Sequence, residues 1–225
     1  MSLLYSLRGL PRSLQAAVFM ALAMLFFTSM GIFIRLAAEE LHSLEIVFFR
    51  NFLAFLLMAP WILRQGIHVM YTRRLGLYSF RALVNLVGMA AGFTAITMMP
   101  LAEFTALSFT APLWVTLGAW FFLRETVRGY RLVAIIVGFF GVMVVLQPGF
   151  TAISIASGLA LVHASLIAGT TLIVKRLTVT ERPEAIVTYM VLLQAPLALI
   201  PALFVWQWPT FMGWVWLWAL AGGPH

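Results

Sequence analysis

A chain of 225 residues, of which 63% are hydrophobic and 9% charged, has too little polar surface for a soluble domain. The net charge of +7 does not indicate nucleic-acid binding, because the basic residues fall in short gaps between apolar runs and form no contiguous patch. Cysteine is absent, which excludes disulfides and thiolate metal ligands. The composition predicts an all-α polytopic membrane protein whose first partner is the lipid bilayer.

Eight apolar runs follow one another along the chain. They cover roughly residues 15–38, 43–63, 77–99, 101–123, 130–147, 153–174, 185–206 and 210–222. The first run follows two arginines as in a signal peptide, but it continues to about Ala38, so we expect it to be retained as a transmembrane helix. The sequence therefore predicts seven full spans and a shorter eighth.

Lysine and arginine residues predict the orientation, because cytoplasmic loops retain them. Of the 14 basic residues, all but two fall at the N-terminus or in and beside the second, fourth and sixth loops, which lie on one side. Arg35 and Arg50 are the exceptions. The N-terminal segment 1–14 is therefore predicted to be cytoplasmic, and since the loops are short, any function lies within the helix bundle.

The fourth run, from Pro100 to Arg128, differs from a simple apolar anchor. Pro112 lies at mid-span, and hydroxyl side chains recur along the run. A proline inside a helix removes a backbone hydrogen bond, a defect that is tolerated where hydroxyls, neighbouring helices or water satisfy the freed carbonyl. We expect one proline-containing helix that faces protein or a cavity.

Two segments about 140 residues apart are similar. IRLAAEELHSLEIV at 34–47 resembles VKRLTVTERPEAIV at 174–187, and Pro60 and Pro201 follow in step. A unit of this length holds five spans, and an odd number makes the second copy enter the membrane from the opposite side. Inverted repeats of this kind build secondary transporters, with the substrate site near the midplane between the two halves. We predict a first repeat at 15–149 and a partial second repeat at 150–225, with two full helices and part of a third.

Three stretches of the first unit carry an ordered set of motifs. They are FFRNFLAFLLMAP, RALVNLVGMAAGFTAITMMPLAEFTALSFTAPLWVTLGAWFFLRETV and RLVAIIVGFFGVMVVLQPG. The third helix is rich in small residues. The fourth contains a proline and ends in a glutamate, and the fifth has spaced glycines and ends in Pro-Gly. In order, these residues are Pro112, Glu125, Gly138, Gly141, Pro148 and Gly149. In this order the motifs resemble the EamA family of the drug/metabolite transporter superfamily.

The resemblance implies a ten-helix permease of two inverted five-helix repeats in the plasma membrane, the bacterial inner membrane. Such a permease moves a small polar or amphipathic metabolite, amino-acid-like or S-adenosylmethionine-like, by alternating access. A complete second repeat would run to about residue 285, whereas the sequence stops at His225. Two alternatives stay open: a truncated copy that is a non-transporting remnant or interaction subunit, and a short homologue that assembles, for example as a homodimer, to complete the bundle.

Polar and aromatic side chains inside the spans are the candidate substrate contacts. They are Arg50, Asn85, Thr94, Ser108, Thr110, Trp114 and His163. An unpaired charge at the position of Arg50 costs at least about 2.5 kcal/mol, so we expect it to have a partner. Two partners are open: an anion that enters the bundle, or Glu103 or Glu45 in a structural ion pair. For His163 two roles are open: it relays protons, or it forms a hydrogen bond to a neighbouring helix. For the others, the alternative is interhelical hydrogen bonding and ordinary packing.

A second set of residues is assigned a structural role. It comprises Pro112, Glu103, Glu125, Gly88 and Gly92. The two glycines form a GxxxG step, which lets helices approach closely. An enzyme is disfavoured, because His163 and Ser165 lack a nucleophile elbow and the histidines are too scattered for a metal site. We therefore expect neither a cofactor nor a metal ion.

Overall fold

The computed structural model describes residues 12–65, 72, 74–124, 129–146 and 154–221, and all regular structure within them is helical. The helices are α1 (Arg12–Ala38), α2 (Ser43–Gln65), α3 (Leu75–Met98), α4 (Leu101–Ser108), α5 (Ala111–Leu123), α6 (Gly129–Leu146), α7 (Ile155–Leu177), α8 (Pro183–Ala202), a 3-10 turn (Leu203–Val205) and α9 (Phe211–Ala221). These bounds agree with the predicted spans to within a few residues, and the predicted all-α polytopic class is confirmed.

The length and composition of these helices determine which of them can cross a membrane. Within the described residues, five stretches are long and apolar enough to cross a membrane, namely Ser43–Arg64, Leu75–Met98, Leu101–Leu123, Ile155–Leu177 and Pro183–Val205. Thr28–Ala38 and Phe211–Ala221 are shorter apolar helices. Glu125, Pro148 and Gly149, three of the motif residues, lie outside the described ranges.

The fourth predicted span consists of two helices, so the expectation of one continuous helix is wrong. α4 ends at Ser108 and α5 begins at Ala111. The turn between them is closed by Thr110, whose backbone N–H and hydroxyl both donate to the carbonyl of Leu107, at 3.0 and 2.7 Å. Pro112 stands in the first turn of α5, where a missing N–H removes no intrahelical hydrogen bond. The proline therefore starts a helix and does not interrupt one.

The packing of helices follows the order of the predicted repeat. If the two predicted units are equivalent, α1 corresponds to α7, α2 to α8 and α3 to α9. The contact between α3 and α7 then corresponds to the contact between α9 and α1, and the contact between α3 and α8 corresponds to the contact between α9 and α2. Each of these pairs is in contact, and the α2–α8 pair maps onto itself. The contacts between the two predicted units therefore pair off about α2 and α8, whereas the contacts of α1–α2, α1–α3 and α2–α3 within the first unit have no equally extensive counterparts among α7, α8 and α9. The boundaries of the two repeats stay a prediction.

Equivalent polar contacts join the two units at opposite ends of the bundle. The turn 39–42 and the segment 206–210 lie at one end, here called the 39–42 end, and the turn 178–182 and residue 72 lie at the other, the 178–182 end. At the first, Thr210 donates its hydroxyl hydrogen to Glu40. At the second, Thr72 donates to Glu181 at 3.0 Å. In both cases a glutamate after the first helix of one unit accepts from the loop between the second and third helices of the other.

Candidate functional site

A cavity of about 210 Å³ lies among α1, α2, α3, α4, α7 and α8. Its wall is mainly apolar, with polar groups from Thr28, Arg50, Asn85, Thr105 and His163. Among the described residues, no aspartate or glutamate lines it. An apolar pocket with a few convergent polar groups is the usual form of a small-molecule site. Arg50 gives this one a net positive charge.

Three side-chain nitrogens converge on the sulfur of Met89. Arg50 Nη1 lies 3.6 Å from Sδ, Asn85 Nδ2 3.4 Å and Asn51 Nδ2 3.9 Å. Asn51 also donates to the carbonyl of Val47 at 2.7 Å. A thioether is a weak acceptor, so this sulfur satisfies the donors poorly. The Nε of Arg50 is enclosed and has no hydrogen-bond partner in the described part of the chain.

Arg50 forms no ion pair with Glu45 or Glu103 in the described structure, so that alternative from the sequence is wrong. The two carboxylate oxygens of Glu45 accept hydrogen bonds from the backbone N–H groups of His42 and Gln207. Glu103 is exposed on the outside of α4. An anion contact for Arg50 stays a prediction.

His163 is held between α7 and α3 by the two glycines of the GxxxG step. Its Nδ1–H donates to the carbonyl of Gly88 at 2.7 Å, and its ring centroid lies 5.5 Å from that of Phe104. A Cβ atom at Gly92 would lie 2.4 Å from Nδ1, so only glycine leaves room for the imidazole. His163 thus makes the hydrogen bond to a neighbouring helix that the sequence suggested, and proton relay stays a prediction.

The cavity brings together three of the seven candidate residues, Arg50, Asn85 and His163. The other four lie outside its lining. Thr94 hydrogen-bonds Ser43 near the 39–42 end at 2.9 Å, and Ser108 and Thr110 donate to carbonyls of the preceding helical turn. Trp114 packs edge-on against Phe139, at 5.3 Å between ring centroids. A role for these four in binding stays a prediction.

Sequence reasoning missed Met89, Phe93 and Ile96, which line the cavity together with Asn85. The signal was their spacing, since residues three and four apart on α3 lie on one helix face. It also missed Met190 on α8, which lines this cavity and a second one of about 110 Å³. Arg50 is the other residue shared by both cavities.

The second cavity lies between α2 and α8. Its lining includes Met58 and Val187, which place it toward the 178–182 end, whereas the larger cavity extends toward the 39–42 end through Ile96 and Leu101. Arg50 and Met190 therefore stand where the two cavities meet. Met190 is in turn a hydrogen-bond acceptor for Arg81 at 3.2 Å.

Comparison with known proteins identifies similar membrane transporters. A model of the EamA-like transporter family matches residues 14–147. A riboflavin transporter of Vibrio cholerae is 30% identical over 214 residues, which are 93% of this chain and 72% of that protein. A riboflavin transporter of Brucella anthropi is 32% identical over 155 residues, covering 69% of this chain and 55% of its own length. An S-adenosylmethionine uptake transporter of Rickettsia felis is 34% identical over 109 residues, covering 48% of this chain and 37% of its own length.

The chain thus spans between about a third and three quarters of these relatives. No solved structure matches it. The family match and the named relatives agree with the resemblance seen in the sequence, and they point to transport and away from enzymatic chemistry.

Proposed function

Because the chain belongs to the EamA-like transporter family, we propose that it is a permease for a small polar or amphipathic metabolite in the plasma membrane. The observation that carries the proposal is the cavity of about 210 Å³, which lies between helices of both units and carries five polar side chains in a mainly apolar wall. Relatives named as riboflavin and S-adenosylmethionine transporters support a metabolite of this kind as the substrate.

The proposed mechanism is alternating access between the two ends of the bundle. The hydrogen bonds Glu40–Thr210 and Glu181–Thr72 join the two units at opposite ends. Each contributes about 1 kcal/mol, so one can break while the other is kept. The basic residues Lys175, Arg176 and Arg182 favour a cytoplasmic 178–182 end and hence a cytoplasmic N-terminus.

Transport is tested with the purified protein in proteoliposomes. The vesicles are incubated in a cell extract, and their contents are compared by mass spectrometry with those of protein-free vesicles. Riboflavin and S-adenosylmethionine are also supplied individually as labelled probes. We expect the vesicles that contain the protein to accumulate one compound or a small chemically related set. If no compound accumulates above the protein-free control, the proposed function is wrong.

A tryptophan that fills the cavity is expected to stop this transport. Ile167 lines the cavity on α7, whereas Val162 on the same helix is 45% exposed on the outside. We expect Ile167→Trp to lower the initial rate at least about tenfold, equivalent to 1.4 kcal/mol. Val162→Trp, the matched control, should transport at the parent rate. Equal rates for both variants at equal amounts of folded protein would show that the substrate does not pass through this cavity.

Alternating access is tested by weakening one end at a time. Since the chain has no cysteine, Thr105→Cys provides a single thiol in the cavity wall. Loss of about 1 kcal/mol at one end should open it about fivefold more often. We expect Glu40→Ala to raise the rate of thiol labelling from the side of the 39–42 end, and Glu181→Ala to raise it from the other side.

The control for these variants is Glu39→Ala, which removes an exposed carboxylate from the same turn as Glu40. It should leave both labelling rates unchanged. Labelling that rises from the same side in both end variants would contradict a mechanism in which the ends open in turn.

A further inference from the structure

The guanidinium of Arg50 has more donors than the described structure provides acceptors for. An arginine side chain offers five N–H donors and stays charged at any accessible pH. Here one contact joins Nη1 to the Met89 sulfur, and Nε has no partner. Arg50 is partly buried. A charge that is withdrawn from water and has only a weak acceptor is unfavourable, and it is retained where a partner arrives that can offset it.

Three of the acidic side chains at the two ends of the bundle are engaged elsewhere. Glu45 accepts from two backbone N–H groups, Glu40 from Thr210 and Glu181 from Thr72. None of the described residues that line the two cavities is acidic. The positive charge of Arg50 is therefore uncompensated within the part of the chain that the structure describes.

We propose that the transported molecule carries an oxyanion, a carboxylate or a phosphate group, which accepts hydrogen bonds from Arg50 and Asn85. This rests on the proposed transport function. Carboxylates and phosphates match the planar fork of a guanidinium, which binds them through two parallel hydrogen bonds. Asn85 Nδ2 lies 3.4 Å from the same sulfur atom and supplies a further donor. Met89 has a flexible side chain that can withdraw to admit the oxyanion.

The position of Arg50 gives the oxyanion a defined place along the path. Arg50 and Met190 line both cavities, and the larger cavity also has the aromatic side chains Phe93 and Phe104 in its wall. The oxyanion is held where the cavities meet, and the apolar part of the molecule lies against the aromatic wall. Arg50 therefore selects substrates by charge, and the same contact serves whichever end is open.

The test measures binding to the purified protein in nanodiscs for two pairs of compounds that differ in one oxyanion. Flavin mononucleotide and riboflavin differ by a phosphate, and S-adenosylmethionine and its decarboxylated analogue differ by a carboxylate. We expect the oxyanion-bearing member of at least one pair to bind at least about tenfold more tightly than its partner. Arg50→Gln should abolish this preference and Arg50→Lys should keep part of it, because lysine retains the charge without the fork.

Arg81→Gln is the matched control, because Arg81 is a buried arginine that donates to a methionine sulfur but does not line either cavity. It should keep the preference. Arg50→Gln should also melt at the same temperature as the parent or a higher one, because it removes an uncompensated charge. A lower melting temperature would make Arg50 a structural residue and overturn the proposal.

Three other results would also overturn it. The first is equal binding of the two members of each pair, and the second is an unchanged preference in Arg50→Gln. The third, if none of the four compounds binds, is accumulation of a compound without an oxyanion in the transport assay. Failure of the proposed function looks different. In that case the oxyanion-bearing compound binds in an Arg50-dependent way, but vesicles that contain the protein do not accumulate it.

Discussion

Gly92→Ala is expected to lower the free energy of unfolding by about 1–3 kcal/mol, the usual cost of overpacking a filled interface. The new Cβ would lie 2.4 Å from Nδ1 of His163 and 2.8 Å from its Cε1. Moving the imidazole away from the new Cβ would break the Nδ1–Gly88 hydrogen bond and disturb the packing of the ring on Phe104. Thermal unfolding in nanodiscs measures the loss.

Two comparisons make this prediction specific. Gly158→Ala on α7 places its Cβ in open space, so we expect it to be neutral or to stabilise the protein, because alanine is the better helix former. In a His163→Ala background the clash at Gly92 disappears, and Gly92→Ala should then cost much less. A cost that is the same in both backgrounds would mean that the imidazole is not what excludes a side chain at Gly92.

The helix bounds were predictable from the sequence because the apolar thickness of a bilayer fixes the length of each run. The break between α4 and α5 was not recognised, because Pro112 in an apolar run is compatible with both the interior and the first turn of a helix. Thr110 occupies the N-cap position of α5, but its hydroxyl donates to Leu107 and does not cap the helix, so the usual preference of threonine for N-caps is not what sets this boundary. The helices on both sides are short and apolar, so periodicity did not reveal the boundary.

The candidate site was predictable only in part. Arg50, Asn85 and His163 stand out because placing a polar side chain within a membrane span costs free energy, so such residues usually have a function. Which polar residues meet depends on how each helix is rotated about its axis, and one sequence does not fix that rotation. Ser108 and Thr110 look equally promising, yet their hydroxyls are satisfied by carbonyls of their own chain three and four residues earlier.

Methionine residues were the least visible part of the site. Met89 lies in an apolar segment, where a methionine is usually a packing residue, and Met190 lies in another. Their role follows from the donors around them, since Arg50 and Asn85 approach one sulfur and Arg81 approaches the other. A flexible, weakly accepting side chain beside a guanidinium leaves that guanidinium available to a stronger acceptor. This property depends on tertiary contacts and has no sequence signature.

Glu45→Ala is expected to cause a large loss of stability at the 39–42 end. Glu45 is 0% exposed, and its carboxylate accepts from the N–H groups of His42, at 3.0 Å, and Gln207. The first contact caps α2, where His42 in turn accepts from the N–H of Leu44 at 3.3 Å. The second joins this turn to the segment before α9. Alanine leaves two N–H groups without acceptors, at about 1–3 kcal/mol each, so we expect a total loss of about 2–6 kcal/mol.

Glu45→Gln and Glu39→Ala separate the hydrogen bonds of Glu45 from its charge. Glutamine keeps one acceptor oxygen but places an NH₂ group against the other N–H, so its melting temperature should lie between those of the parent and Glu45→Ala. Glu39→Ala removes the same charge from an exposed position in the same turn and should melt like the parent.

Because Glu45 holds the turn 39–42 against the segment before α9, Glu45→Ala should also raise the labelling of Thr105→Cys from that end. If Glu45→Ala and Glu39→Ala had the same melting temperature, the two N–H groups would have found other acceptors. Glu45 would then not be the residue that stabilises this end of the bundle.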